Sequence, residues 1–376
     1  MRYWMKATLR LTAAGLLFIA LLEICARIDD GIKWRAPFLG LYSVNNLFDF
    51  DDEGIPINIP NSSFEKWSNN NIGLRGPTIS RNKPPDRMRI VCLGTSETYG
   101  TCESQGQEWP AQLGRMLKEV GPFEIINAAG PGFGFQYYRR FFEKYILPLN
   151  PDAVLILANP FFHASRYIRA SRIVNSLRPQ IRNPNRQRRT PRPSLISHLR
   201  ILPKIKRSLR QILPAHLKRM YYVYNFKKQI ARKERLLHSA ELPLDAVPES
   251  CLSVYRDELR GLLDYLKGKG MQVILGSYPS LMNNDNIDQY PEIFLGFRAI
   301  SIEFSFWGDM DIAKKYNEAT RSLAQQMNLL FVDTKEAVPK DLFHFCDNVH
   351  LTNVGAQAVA RAFSEAICQL YQLRCR

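Results

Sequence analysis

The stretch Met88–Gly100, MRIVCLGTSETYG, decides the reading of this chain. Arg89 to Leu93 is a short, mostly apolar run stopped by Gly94, the pattern of a buried strand. Ser96 follows almost at once, and the polar residues behind it suit the opening of a helix. A serine at the carboxyl end of a strand in an open α/β sheet sits where such folds place ligands. Thr95 and Ser96 would equally serve to cap the helix. The G-x-S-x-G elbow of the α/β hydrolases is excluded, because it needs glycine at Thr98. The far end of the chain turns Ser96 toward chemistry. There Asp347-Asn348-Val349-His350-Leu351 sets an acid and an imidazole three residues apart, just ahead of a terminal helix.

Outward from Ser96, strand and helix patterns alternate. Glu108 to Val120 has helical spacing of Trp109, Leu113, Met116 and Leu117. Phe123 to Asn127 predicts a second strand, Phe135 to Leu147 a helix, and Ala153 to Ala158 a third strand ending at Asn159-Pro160. After a basic insert come helix Leu252–Lys267, strand Gln272–Leu275, helix Ile312–Met327, strand Leu329–Val332 and helix Thr352–Leu370. Strands separated by helices imply a parallel sheet with both faces covered. The expected fold is an α/β three-layer, doubly wound sandwich on a five-stranded parallel sheet. Four loops at its carboxyl edge carry Ser96, Gly132, Asn159 and the Asp347/His350 pair.

The 376 residues, 45% of them hydrophobic, suffice for one large core with insertions. The net charge of +16 is unevenly spread. Ala164 to Arg235 holds 21 Lys plus Arg against the single acid Glu234, which is +20, so the remainder of the chain is 16 − 20 = −4. One segment carries the basicity, and nucleic-acid binding is not inferred for the whole protein. The seven cysteines include no C-x-x-C pair, and no metal site is expected. Cys92, mid-strand, reads as a small buried hydrophobe.

The amino end reads as a targeting segment, residues 1–30. Arg2, Lys6 and Arg10 precede twelve uncharged residues, Leu11 to Leu22, which is export-signal architecture. Ile24 is too large for a small-x-small cleavage site before Arg27, so an uncleaved anchor is expected. Its amino end would lie in the cytoplasm, with the catalytic part outside the inner membrane. The run is short for a span, so Glu23 must snorkel or sit at the interface. Residues 31–85, rich in Asn, Pro and Gly with spaced aromatics, predict an extended arm packed on the core. The core itself comprises 86–163 and 243–376, with 164–242 as the insert.

Together, the order G-T-S, then N-A-A-G-P-G, then strand-terminal Asn159, then D-N-V-H-L resembles the SGNH (GDSL-type) hydrolase family. The likeness spans roughly Asn71 to Leu370 apart from the insert. Its strongest elements are GTSETYG and DNVHLTNVG. With NIGLRGP they resemble the exported, membrane-anchored bacterial branch of that family. Thr95 replaces the more usual Asp before the serine, and Asn159 lacks the Asp that often follows it.

The resemblance implies Ser96 as nucleophile, His350 as general base and Asp347 as the acid that orients it. A serine hydroxyl is inert at neutral pH without a base in reach, and the imidazole needs its other nitrogen fixed. It also implies an oxyanion hole from the N–H of Ser96, the N–H of Gly132 and the amide of Asn159, with Gly130 competing with Gly132. No cofactor is implied. An exported chain permits disulfides, and Cys102 and Cys346 flank the two halves of the site.

The expected activity is that of a serine esterase acting on acyl, notably acetyl, esters of a cell-surface carbohydrate. An O-acyltransferase modifying an exopolysaccharide and a non-catalytic polysaccharide-binding scaffold are the alternatives. The membrane is the expected partner of the amino-terminal helix. The insert, with its run Arg186-Gln187-Arg188-Arg189 and a helical part Leu217–Leu237, is a solvated lid or a face for anionic lipid or acidic glycan.

Overall fold

The computed structural model describes residues 2–40, 42–176, 199–237 and 242–373. Strands β1 (Met88–Leu93), β2 (Phe123–Asn127), β3 (Ala153–Leu157), β4 (Gln272–Gly276) and β5 (Leu330–Val332) form one sheet in the order β2-β1-β3-β4-β5. Every neighbouring pair is parallel. All of β3, and all of β1 except Met88, is buried. Burial on both faces is why these strands read as continuous apolar runs rather than alternating ones.

Besides the single turns Asn286–Gln289 and Thr334–Ala337, the α-helices are α1 (Arg2–Trp34), α2 (Ser96–Tyr99), α3 (Trp109–Lys118), α4 (Phe135–Phe141), α5 (Pro160–Ser176), α6 (Ile201–Ile212), α7 (Ala215–Leu237), α8 (Glu249–Gly268), α9 (Pro291–Ile300), α10 (Phe306–Gln326) and α11 (Asn353–Leu370). One layer pairs α3 with α11, where the Trp109 and Phe363 rings stack at 5.0 Å. The other gathers α4, α5, α8 and α10 around Tyr255 and Tyr316, whose rings lie 4.5 Å apart. The α/β sandwich is therefore doubly wound, as the alternation predicts. The strand order reverses between β1 and β3, and the loops leaving their carboxyl ends part to form a crevice. Ser96 and Asn159 stand on those two loops.

Three local expectations need correction. Phe135–Leu147 is not one helix: α4 ends at Phe141, a wider π turn runs Phe142–Ile146, and a tight turn closes at Leu147–Leu149. Pro148 lacks the N–H that would continue the helix. Helix α1 runs on to Trp34. Glu23 also does more than sit at an interface, since its carboxylate accepts from the backbone N–H groups of Arg200 and Ile201 at the start of α6. In the insert α7 covers the helical part predicted from Leu217, and α5 and α6 precede it. Arg186–Arg189 lie outside the described residues.

The segment before the core folds as two short hairpins, Phe48–Phe50 with Pro56–Asn58 and Ser63–Phe64 with Trp67–Ser68. Ile55 and Leu74 are buried in the main core. Arg75 makes a β-bridge with Asn127 at the end of β2.

Candidate active site

The turn after β1 is shaped by what its glycines leave out. A Cβ on Gly94 would lie 2.0 Å from Thr98 Oγ1 and 3.2 Å from the Leu157 carbonyl oxygen. Only glycine lets the chain turn so tightly against β3. Gly100, at φ +85°, ends the single turn of α2 in the left-handed region, and its N–H donates to the Ser96 carbonyl. Ser96 thus begins a short helix pinned at both ends.

The second loop is held by its own acid. Asp347 Oδ1 accepts from the N–H groups of Val349 (2.9 Å) and His350 (2.8 Å), an Asx turn that fixes both side chains. The Cys346 N–H donates to the His350 carbonyl, and Phe345 bridges Leu351, closing the loop at its base. The Thr352 hydroxyl then accepts from Gly355 N–H and starts α11.

These two loops meet. His350 Nε2 lies 2.7 Å from Ser96 Oγ, and His350 Nδ1 lies 2.7 Å from Asp347 Oδ2. Three residues drawn from both ends of the core form one hydrogen-bonded chain. Burial alone would push the His350 imidazole down. The Asp347 hydrogen bond and charge outweigh it, helped by Glu97, and its pKa stands above the ordinary value. Burial would likewise raise the Asp347 carboxyl, but the His350 hydrogen bond and charge bring it below the usual carboxylate range.

Asn159 reaches the crevice from β3. Its amide donates to Tyr278 Oη at 2.9 Å and approaches Thr95 Oγ1 at 3.3 Å. Its own carbonyl accepts from Phe162 N–H at 3.0 Å. Gly132 sits on the exposed turn after β2 at φ +80°, with open space where a Cβ would point. Gly130 differs, because a Cβ there would lie 2.4 Å from the Phe133 ring.

Sequence reasoning missed a buried support. Glu97, 1% exposed, accepts from the Thr95 N–H at 2.9 Å and from the Thr95 hydroxyl. It thereby holds the residue before Ser96 and faces the Asn159 amide at 3.4 Å. Burial, with the Glu97 charge behind it, pushes the Tyr278 hydroxyl far up, so this phenol stays neutral. The only local signal for Glu97 was a carboxylate in the first turn of a helix.

Cys102 and Cys346 are joined by a disulfide that ties the loop after Ser96 to the loop before Asp347. Under it lies Glu103, fully buried, its carboxylate accepting from the Cys102 N–H at 3.1 Å. Burial raises the Glu103 carboxyl to about 8.

No family model matches the chain, and no curated protein matches it. Among solved structures it is similar to a lipase/acylhydrolase from Enterococcus faecalis, at 16% identity over 77% of this chain and 98% of that one, TM-score 0.41. It is also similar to an acetylxylan esterase from Geobacillus stearothermophilus, at 16% identity over 74% of this chain and 94% of that one, TM-score 0.40.

Proposed function

We propose that this chain is an exported, membrane-anchored serine esterase of the SGNH type, acting on acetyl esters of a cell-surface carbohydrate. The observation that carries the proposal is the Ser96–His350–Asp347 chain, 2.7 Å at each link. In this mechanism His350 Nε2 takes the Ser96 proton as Oγ attacks the ester carbonyl carbon. The tetrahedral oxyanion is met by the N–H groups of Ser96 and Gly132 and by the Asn159 amide. As the bond to the alcohol breaks, the same proton passes from His350 to the departing oxygen, leaving acyl-Ser96. Water, deprotonated by His350, then attacks the acyl carbon, and as the bond to Ser96 Oγ breaks His350 returns that proton to Oγ and the acid leaves. Asp347 stays ionised and steadies the imidazolium.

A small acyl group suits the cleft at Thr95 and Asn159. Phe133, Phe135 and Phe162 line and narrow it. Transfer of the acyl group to a sugar hydroxyl would use the same residues, with the acceptor in place of water.

Helix α1 is the one helix among the described residues long and apolar enough to cross a membrane. We place its amino end in the cytoplasm and the sheet domain beyond the inner membrane. Helix α6 lies against it, with Lys204 paired to Asp29 and Asp30. It exposes Leu202, Ile205, Leu209 and Ile212, while Lys206 and Arg207 give it a basic character. That composition suits the surface of an anionic bilayer.

The test is a serine-directed phosphonate on the full chain, followed by acetyl-ester turnover with and without oligosaccharide acceptors. Labelling should fall on Ser96, and acetate release should follow it. Labelling that persists unchanged in Ser96→Ala would end the proposal. Acetylated oligosaccharide appearing in place of free acetate would assign transfer instead of hydrolysis.

A further inference from the structure

Helix α7 is no detached lid. Its Phe226 lies against α9, where a Cβ on Gly296 would stand only 3.2 Å from the Phe226 ring. Ile230 is buried with Ala299 and Ile302. Between α7 and α9 opens a cavity of about 690 Å³, whose wall also includes Cys346 and Asp347. That size is typical of a small-molecule site. Tyr222, Phe226, Ile293, Phe297 and Ile300 make its lining largely apolar. Arg219 and Glu292, the charged residues contributed by the two helices, are paired with each other. The other polar groups in the wall are Gln229, the Tyr222 hydroxyl and Asp347, few beside its apolar surface.

The position of the cavity restricts what it could hold. Asp347 lies behind the imidazole as seen from Ser96, whereas the Asn159 amide comes from β3, bonded to Tyr278 and near Thr95. In serine acyl transfer the imidazole protonates the leaving oxygen, so the alcohol departs on the imidazole side, away from the oxyanion donors. The cavity adjoins the imidazole side. The tight aromatic cleft lies on the Asn159 side.

We propose that the cavity between α7 and α9 binds the alcohol portion of the ester, and that this alcohol carries an apolar, lipid-like body. The proposal rests on the esterase mechanism above and names its substrate class as a short-chain ester of an apolar alcohol, such as the lipid-linked form of a carbohydrate. The bond that breaks joins the acyl carbon to this alcohol's oxygen, which takes the proton from His350. The insert then forms one wall of the substrate site.

The full chain in lipid nanodiscs should be assayed on ethyl, hexyl and decyl acetate, and on 4-nitrophenyl acetate and octanoate. The specificity constant kcat/KM should rise at least tenfold from ethyl to decyl acetate and fall at least tenfold from acetate to octanoate. Ile293→Trp should erase the gain with decyl acetate over ethyl acetate. Ile300→Arg, at the exposed mouth, repeats the test should the first variant misfold. Equal rates on all acetates, a gain untouched by both variants, or a gain that follows the acyl chain would overturn the proposal.

A diazirine-bearing decanol separates this outcome from failure of the esterase mechanism. It should crosslink to α7 or α9 even in Ser96→Ala and lose that label in Ile293→Trp. Crosslinking without turnover would leave the cavity assigned and the mechanism wrong. Ser96-dependent turnover without crosslinking would do the reverse.

Discussion

Arg75 and Glu108 face each other inside the protein, Nε to Oε2 at 3.5 Å, with side chains 0% and 1% exposed. The same guanidinium lies over the Tyr99 ring at 4.8 Å, and Tyr99 ends the turn that Ser96 begins. An arginine from the segment before the core is thus built into the floor of the nucleophile loop. Removing one partner of a buried ion pair leaves the other charge uncompensated, which costs about 3–5 kcal/mol. Arg75→Ala should lower stability by that amount in urea denaturation and loosen the Ser96 loop. Arg75→Ala with the stability of the native chain would show the pair to be idle.

In the proposed mechanism His350 must be neutral to act as a base, and its pKa lies above the ordinary 6.5. Activity should therefore rise with pH through an acid limb set above 6.5. Asp347→Asn removes the hydrogen bond and charge that raise this pKa, so the limb should move to lower pH. The turnover number should fall by about 10⁴-fold, as for loss of the orienting acid in other serine hydrolases. A pH–rate profile of both forms on an acetyl ester checks the sign. A limb that stayed in place would remove Asp347 from the relay.

Asn159→Ala tests the oxyanion assignment separately from the base. Losing one such donor lowers kcat by about 10²–10³-fold with little effect on KM. Tyr278→Phe removes only the hydroxyl that the Asn159 amide now meets, so it should free the amide and cost far less. Equal losses in the two variants would mean that Asn159 acts as packing rather than as a donor.

Glu103 makes stability depend on pH in a stated direction. Its carboxyl titrates at 4.5 in the reference state and at about 8 when folded, because of burial. Between those values the unfolded chain has lost this proton and the folded chain has kept it, so stability falls as pH rises. The slope is about 1.4 kcal/mol per pH unit for one proton. Glu103→Gln, with nothing to ionise, should flatten that decline between pH 5 and 8 in paired urea titrations. A difference between the two proteins that stays constant with pH would place the Glu103 charge in a satisfied ion pair instead.

The amino terminus offers a fractionation test. With no small-x-small site after Leu22, the protein should retain Met1 to Arg27 and sediment with membranes. Amino-terminal sequencing that starts near Arg27 would convert the anchor into a cleaved signal.

The sheet was legible because its strands are buried on both faces. β1 to β5 fall within a residue or so of the apolar runs that predict them, and their parallel pairing follows from alternation with helices, whereas the order β2-β1-β3-β4-β5 is read only from the structure. Ser96, Asp347 and His350 were legible because each motif is local, although only folding brings the two loops to 2.7 Å. Glu97, Arg75 and Tyr278 were not. Their work depends on neighbours far away in sequence, and an isolated acid, arginine or tyrosine carries no spacing to read. Helix α9 was missed for a related reason. Its cavity face exists only because the insert returns α7 to it, and the high charge of the insert suggested a solvated segment.

The disulfide between Cys102 and Cys346 spans 244 residues, and Ser96 and His350 stand 254 residues apart. Ser96 is made early in translation and His350 near the end, so on the proposed mechanism a still-emerging chain lacks the base that the Ser96 hydroxyl needs. Closing the loops covalently then requires an oxidising compartment. On the proposed export reading, a chain still threading out of the cytoplasm would therefore be harmless to the esters around it. On that proposal, activity would begin with arrival rather than with synthesis.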